Sequence, residues 1–208
     1  MLNSQDRVVP HLILASRSPR RRELLEQIGV QYQCIVADVP ETREPDENPT
    51  DYVHRLAETK ALAGYKVHGE MKPSCRVPVL GADTIVVCAG AVLEKPNNKA
   101  EAVAMLMAIS ETSHEVMTAV SVCLGDTIET VINTTRVYCR NITLREAQAY
   151  WQTGEPADKA GGYGIQGLAA IFIERIDGSY SGVMGLPLFE TAALLNRFNV
   201  PIGQATNQ

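Results

Sequence analysis

The sequence predicts an α/β fold built on a mixed, largely antiparallel twisted sheet with flanking helices. Three observations carry that prediction. The chain has 208 residues, 45% hydrophobic and 21% charged, which is ample material for a buried core. Apolar runs of strand length mix with helix-period segments without strict βαβ alternation. Two pairs of strands are joined by turns so short that each pair must be a hairpin. No repeat, low-complexity block or long linker interrupts the chain, so one domain is expected over residues 1–208, with its core at about 11–200.

The elements follow in order. His11 to Ala15 is an apolar run that reads as a buried strand, and a helix opens after Ser16-Arg17-Ser18-Pro19. Ser18 suits the N-cap, Pro19 the first helical position, and Gly29 the stop. Tyr32 to Val36 reads as a second short strand, followed by a polar, proline-bearing loop from Ala37 to Asn48. A helix from Pro49 or Thr50 to Gly64 carries Val53, Leu56, Ala57 and Ala61 on one side. Val79–Val87 and Ala91–Glu94 form hairpin arms around Cys88-Ala89-Gly90, and a helix covers about Lys99 to Ile109. Val116–Leu124 and Ile128–Ile142 pair across Gly125-Asp126. Thr143 and Glu146 make a capping box for a helix that Gly154 closes. A glycine-rich loop over residues 161–167 leads to a strand from Leu168 to Ile176, a turn at Asp177-Gly178, and a last helix from Pro187.

Composition excludes several function classes. With 19 Lys and Arg against 24 Asp and Glu, the formal net charge is −5, which argues against a partner such as polymeric nucleic acid. A small phosphorylated ligand needs only a local cation cluster. No apolar run approaches the roughly 20 residues of a membrane helix. The polar stretch Met1 to Pro10 lacks an apolar signal core, so a cytoplasmic protein is expected. Five irregularly spaced cysteines without a C-x-x-C pair indicate neither a disulfide framework nor a zinc ribbon. The four histidines lack metal-ligand spacing, and neither a Walker loop nor a G-x-S-x-G elbow occurs.

Four places carry candidate chemistry. Arg20 and Arg21 fall in the first turn of a helix, where the macrodipole disfavours cations. Beside free backbone N–H groups and the Ser16 and Ser18 hydroxyls they form an anion site, or else a solvated basic face; spacing leaves both open. Lys60 stands where the helix register calls for an apolar residue, and an isolated lysine there would snorkel to water. Asp83 lies within Val79–Val87, where a buried carboxylate needs a cation or a metal. A three-residue hairpin loop would pair Val87 with Ala91 and make Asp83 and Lys95 cross-strand neighbours; a two-residue loop would put them on opposite faces. Gln166 sits among four glycines, in a tight corner or a ligand-approach loop, where a buried amide could read a base edge.

Together these pieces resemble the Maf family of nucleoside triphosphate pyrophosphatases, from about Leu12 to Phe198. The marks are Ser16-Arg17-Ser18-Pro19-Arg20-Arg21, Glu41, Arg55-Leu56-Ala57 leading to Lys60, Gly81-Ala82-Asp83-Thr84, Leu93-Glu94-Lys95-Pro96, Lys159-Ala160-Gly161, Tyr163-Gly164-Ile165-Gln166-Gly167, Gly178-Ser179-Tyr180 and Val183-Met184-Gly185-Leu186-Pro187. The resemblance implies two lobes around a central cleft, as in inosine triphosphate pyrophosphatases. It implies cleavage of a nucleoside triphosphate to monophosphate and pyrophosphate with a divalent metal, Mg²⁺ or Mn²⁺. The Gly-Ala-Asp-Thr and Gly-Ile-Gln-Gly forms resemble the branch acting on dTTP, UTP and modified uridine triphosphates. By the same resemblance Asp83 and Lys95 are catalytic, and Glu41 and Asp83 hold the metal. Ser16, Arg20, Arg21, Lys60, Thr84 and Gln166 bind substrate, Thr84 and Gln166 at the pyrimidine edge. A homodimer is implied as well. The alternatives are a nucleotide-binding regulator of septum formation without turnover, and a pyrophosphatase of 7-methyl-GTP.

Overall fold

A computed structural model describes residues 10–203, so the segment on which the secretion reading rests lies, apart from Pro10, outside the described residues. The chain runs β1 (Leu12–Ala15), α1 (Pro19–Gln27), β2 (Tyr32–Ile35), α2 (Pro49–Met71), β3 (Val79–Cys88), β4 (Ala91–Leu93), α3 (Lys99–Ile109), β5 (Ser113–Leu124) and β6 (Thr127–Cys139). It continues through α4 (Leu144–Gln152), three short 3₁₀ turns, β7 (Ile173–Asp177), α5 (Tyr180–Met184) and α6 (Leu188–Arg197). The strands form one seven-stranded sheet in the order β2-β1-β3-β5-β6-β7, with β4 also on β3. β1 pairs in parallel with β2 and β3, and the other four pairings are antiparallel. The sheet is therefore mixed and largely antiparallel, as predicted. Among the described residues no helix is long and apolar enough to cross a membrane.

One irregularity in this sheet creates the cleft. β5 pairs with β3 along one edge from Val79 to Val87. On the other edge β1 reaches only Val79 and Leu80, and β4 only Val86 to Cys88. Residues Gly81 to Ile85 thus have an edge free of strands, with the loops after β1 and β4 opening toward it. The period-2 alternation of β3 sends Gly81, Asp83 and Ile85 toward α2, and Ala82, Thr84 and Val86 to the opposite face. On that opposite face the core is split. Leu80 and Ala82 pack with Leu24, Leu25, Leu194 and Leu195, whereas Val86 packs with Leu106, Ile109, Ile142, Tyr163 and Phe172. These clusters are the cores of the two lobes, and Thr84 stands at the seam.

α2 spans the sheet's other face and sets the position of Lys60. Asn48 caps it by accepting from the Asp51 N–H at 2.9 Å. Contrary to expectation, the helix does not stop at Gly64 but continues to Met71. Gly64 is a packing glycine, since a Cβ there would lie 2.6 Å from the Ala15 Cβ. The same holds for Gly81 on the strand beneath, where a Cβ would lie 2.3 Å from the Ala61 nitrogen and 2.6 Å from the Ala57 oxygen. Helix and strand backbones therefore touch at Ala57 and Ala61, on either side of Lys60.

Other local signals are met. Ser18 accepts from the Arg21 N–H, Pro19 opens α1, and Gly29 follows with φ +66°. Thr143 and Glu146 form the reciprocal capping box. Three expectations are corrected. The β3–β4 turn has two residues, Ala89 and Gly90, both left-handed (φ +48° and +80°), with Cys88 opposite Ala91. Asp83 and Lys95 are therefore not cross-strand neighbours, and the ladder ends at Val86 opposite Leu93. Leu168–Phe172 is a 3₁₀ turn rather than the start of a strand, and α5 was not foreseen.

The second lobe is anchored to the sheet by a buried pair. His114 on β5 is 2% exposed, and its Nε2 lies 2.7 Å from the Tyr163 hydroxyl at the start of the glycine-rich loop. The rings meet edge to face with centroids 5.3 Å apart. Burial pushes the His114 imidazole down from 6.5 to about 4, so it is neutral at physiological pH.

Two stability measurements follow from this packing. Gly81→Ala should lower the urea-unfolding free energy by about 1–3 kcal/mol, because backbone must move to admit the methyl. Gly69→Ala on the same helix, with nothing within 4 Å of its Cβ, should be neutral or slightly stabilising. For His114, the unfolded chain binds the proton more readily between pH 6.5 and about 4. Its contribution is present above pH 6.5 and is lost as pH falls through about 4, a change of up to about 3 kcal/mol. His114→Gln should show a shallower loss across that window.

Candidate active site

Between the lobes, at the free edge of β3, lies a cleft of about 580 Å³. The structure brings every predicted site residue to it: Ser16, Arg20 and Arg21 from the β1–α1 junction, Glu41 from the following loop, and Lys60 from α2. Asp83 and Thr84 reach it from β3, Lys95 from beyond β4, and Gln166 from the glycine-rich loop.

Its charged centre is a single ammonium shared by two carboxylates. Lys60 Nζ lies 2.6 Å from Glu41 Oε1 and 2.6 Å from Asp83 Oδ1. The Lys60 side chain is only 13% exposed, so it does not snorkel to water but serves as the counter-ion of a carboxylate 8% exposed. A buried charge requires such pairing. Lys95 Nζ lies 3.5 Å from Glu41 Oε2 and is 60% exposed, so it joins the cluster through Glu41 rather than through Asp83. Burial alone would raise the Glu41 carboxyl, but the hydrogen bonds and charges of Lys60 and Lys95 outweigh it and hold the group below its ordinary range. The Tyr52 hydroxyl, 2.6 Å from the Glu41 carbonyl and 3.1 Å from Glu94 Oε1, ties the Glu41 loop and the exit of β4 to α2.

The β1–α1 junction is organised around Ser16. Its Oγ accepts from the Ser18 N–H at 3.1 Å and from Arg21 Nη1 at 3.4 Å, which leaves its own hydrogen for an acceptor in the cleft. Arg21 is not a solvated helix residue. Its Nε donates to the Gly185 carbonyl at 2.8 Å and its Nη2 to Thr84 Oγ1 at 3.1 Å, bracing α1 against β3 and the end of α5. Burial lowers its pKa, with the charge of Asp83 opposing that shift. Arg20 reaches across to the other lobe, its Nη1 3.6 Å from Asp158 Oδ2.

Sequence reasoning gave no role to Asp158 and Lys159. Lys159 Nζ lies 2.7 Å from Asp158 Oδ1 and 2.7 Å from the Glu155 carbonyl, and both side chains border the cleft. A Lys-Ala-Gly step before the glycine-rich loop was the available signal. The glycines there serve internal packing: a Cβ on Gly164 would lie 2.9 Å from Lys159 Cε, and one on Gly167 2.3 Å from Glu155 Oε1. Glu155 accepts from the Tyr150 hydroxyl at 2.6 Å and from the Leu168 N–H at 2.9 Å, which pins the loop from below. These glycines are required by packing, and Gly164 also lines the cleft. Gln166 is exposed rather than buried, and no described residue hydrogen-bonds its amide.

Among the described residues no cluster of three or more His, Cys, Asp or Glu could hold a metal by itself. Glu41 and Asp83 nevertheless converge on one ammonium at the cleft and offer hard carboxylate oxygens. Mg²⁺ and Mn²⁺ are commonly held by one or two carboxylates completed by water and substrate phosphates, so the donor set fits them.

The chain is 53% identical over 193 residues to a dTTP/UTP pyrophosphatase of Saccharophagus degradans, covering 93% of this chain and 91% of that protein. It is 48% identical over 190 residues to a dTTP/UTP pyrophosphatase of Vibrio cholerae, covering 91% and 99% respectively. Among solved structures, the Ham1 protein of Staphylococcus aureus matches with a TM-score of 0.36 at 13% identity, over 62% of this chain and 71% of that one. The family described as Maf-like protein matches residues 11–198, and the chain belongs to the Maf family.

Proposed function

We propose that this protein hydrolyses dTTP, UTP and modified pyrimidine nucleoside triphosphates to the monophosphate and pyrophosphate. The observation that carries the reading is the convergence of Arg20, Lys60 and Lys95 with Asp83 in one cleft. The names of the relatives support the substrate class. The reading takes the chain as one Maf-like domain and, from the family alone, as a cytoplasmic homodimer.

Water attacks the α-phosphorus and pyrophosphate leaves. Lys60 occupies Asp83 Oδ1, so Oδ2 is the oxygen left to take the proton of that water. Lys60 thereby fixes the base in one orientation. Lys95, the more exposed of the two lysines, is free to swing from Glu41 onto the phosphates as charge develops on the leaving group. Arg20 exchanges Asp158 for phosphate, and the Ser16 hydroxyl donates to a phosphate oxygen. A divalent cation held by Glu41 and Asp83 would supply charge neutralisation on the phosphate oxygens. The remaining work is positioning and electrostatics.

Pyrophosphate release from UTP and dTTP by the purified protein with Mg²⁺ or Mn²⁺ tests the assignment, with 7-methyl-GTP as competitor. Tight UTP binding without release would instead mark a binding regulator. Asp83→Asn should lower kcat by at least about 100-fold, and a variant as fast as wild type would remove Asp83 from the mechanism. Lys95→Ala should lower kcat/KM by about tenfold or more. Lys66→Ala, on an exposed turn of α2, should leave it unchanged.

A further inference from the structure

We infer that Arg55 is a positioning residue: paired with Glu47, it clasps the loop that carries Glu41 onto α2 and so delivers that carboxylate to Lys60. Arg55 lies on α2 and does not border the cleft. Its guanidinium forks onto the Glu47 carboxylate, Nε to Oε1 at 2.6 Å and Nη2 to Oε2 at 2.7 Å. The second Nη2 hydrogen goes to the Thr42 carbonyl at 3.2 Å. Glu47 Oε2 also accepts from the Glu44 N–H at 3.1 Å, and the Glu47 N–H donates to the Glu44 carbonyl at 3.3 Å. Residues 42–47 are thereby wound around one carboxylate whose side chain is only 9% exposed, and a bidentate charge-assisted bond fixes it to the helix.

Glu41 is the residue immediately before this clasp. Residues 36–48 belong to neither helix nor strand, so no ladder or helix register sets the direction of its side chain. Its own ion pair is not enough to do so. The Glu41 side chain is 46% exposed, and a pair that open to water is worth less than ordering a loop of this length costs. What fixes it is the backbone. The Glu41 carbonyl accepts from the Tyr52 hydroxyl at 2.6 Å, and the next carbonyl, that of Thr42, accepts from Arg55, three residues further along the same helix face. Arg55 also packs on Tyr52, its Cζ 5.6 Å from the ring centroid. It therefore supplies one backbone anchor and steadies the other. Lys60 projects from α2 as well, so loop and ammonium share one rigid support. Without the clasp Lys60 would keep Asp83, and Glu41 would be free to turn to water.

The experiment has an exchange part and a kinetic part; only the second rests on the proposed function, in which Glu41 helps to hold the divalent cation. Hydrogen exchange of the Glu44 and Glu47 amides is compared in wild type, Arg55→Ala, Arg55→Lys and Glu41→Gln, with thermal unfolding to verify folding. Arg55→Ala should speed both amides about tenfold or more. Glu41→Gln, which removes the charge paired with Lys60, should leave them as slow as in wild type. Arg55→Ala should also raise the Mn²⁺ concentration for half-maximal pyrophosphate release from UTP about tenfold or more. At saturating Mn²⁺ its kcat should stay within about threefold of wild type. Arg55→Lys, which keeps the charge but not the fork, should fall between the two. In a Glu41→Gln background, Arg55→Ala should raise the Mn²⁺ requirement by less than about twofold further. Should Arg55→Ala not fold, Glu47→Gln carries the same comparisons. Unchanged exchange in the folded variant, equal acceleration by Glu41→Gln, an unchanged Mn²⁺ requirement, or an undiminished effect in the Glu41→Gln background would each overturn the inference. Absence of pyrophosphate release from UTP by wild type would sink the proposed function instead, and the exchange rates alone then decide the inference.

Discussion

The Lys60 ammonium between Glu41 and Asp83 is the interaction on which the rest of the cleft depends. The buried Asp83 carboxylate would be costly so close to the sheet without a counter-charge, and it and Glu41 would repel each other. One buried cation at 2.6 Å from both resolves the conflict and aims them at the same space. That arrangement exists because α2 lies on β3 with backbone against backbone, through Gly81 below Ala57 and Ala61. A residue with any side chain at position 81 would raise the helix and carry Lys60 away from its partners. The electrostatics of the site thus rest on a steric contact beside Lys60.

The second constraint is the interrupted edge of β3. A strand paired fully on both sides would bury Asp83 and Thr84 between neighbours and leave no opening. Because β1 and β4 each claim only one end, the middle of the strand is open along that edge, and its pleat presents Asp83 to α2 and Thr84 to the seam between lobes. The carboxylate chemistry and the threonine–arginine relay are thereby adjacent in sequence yet separated by the thickness of the strand. Arg21 crosses that seam from α1 to Thr84 and Gly185. It joins elements that no backbone hydrogen bond connects.

Much of this was legible in the residues. Ser18-Pro19 and Thr143 with Glu146 are cap signatures whose chemistry is local, and both caps form as read. Lys60 announced itself by breaking an apolar register, although only the fold could reveal its two partners. The hairpin register was not legible. A two-residue turn with both residues left-handed is usually marked by Asn-Gly or Asp-Gly, and Ala89-Gly90 gives half of that signal. Gly64 misled in the opposite sense, because a glycine demanded by close packing looks the same in sequence as one that ends a helix. The five-residue α5 is too short to show a period.

The ion pair between Arg20 and Asp158 bears on how any anion enters. The two side chains belong to opposite lobes, and Asp158 is shared with Lys159. A polyphosphate arriving at Arg20 meets a cation that already has an anionic companion, so capture is a swap of one negative group for another. The 3.6 Å tie to a largely exposed carboxylate is weak, so in the proposed function the swap would cost little, and it would unlink the two walls as the guest begins to bridge them. Entry in that reading is thereby coupled to a rearrangement of the rim.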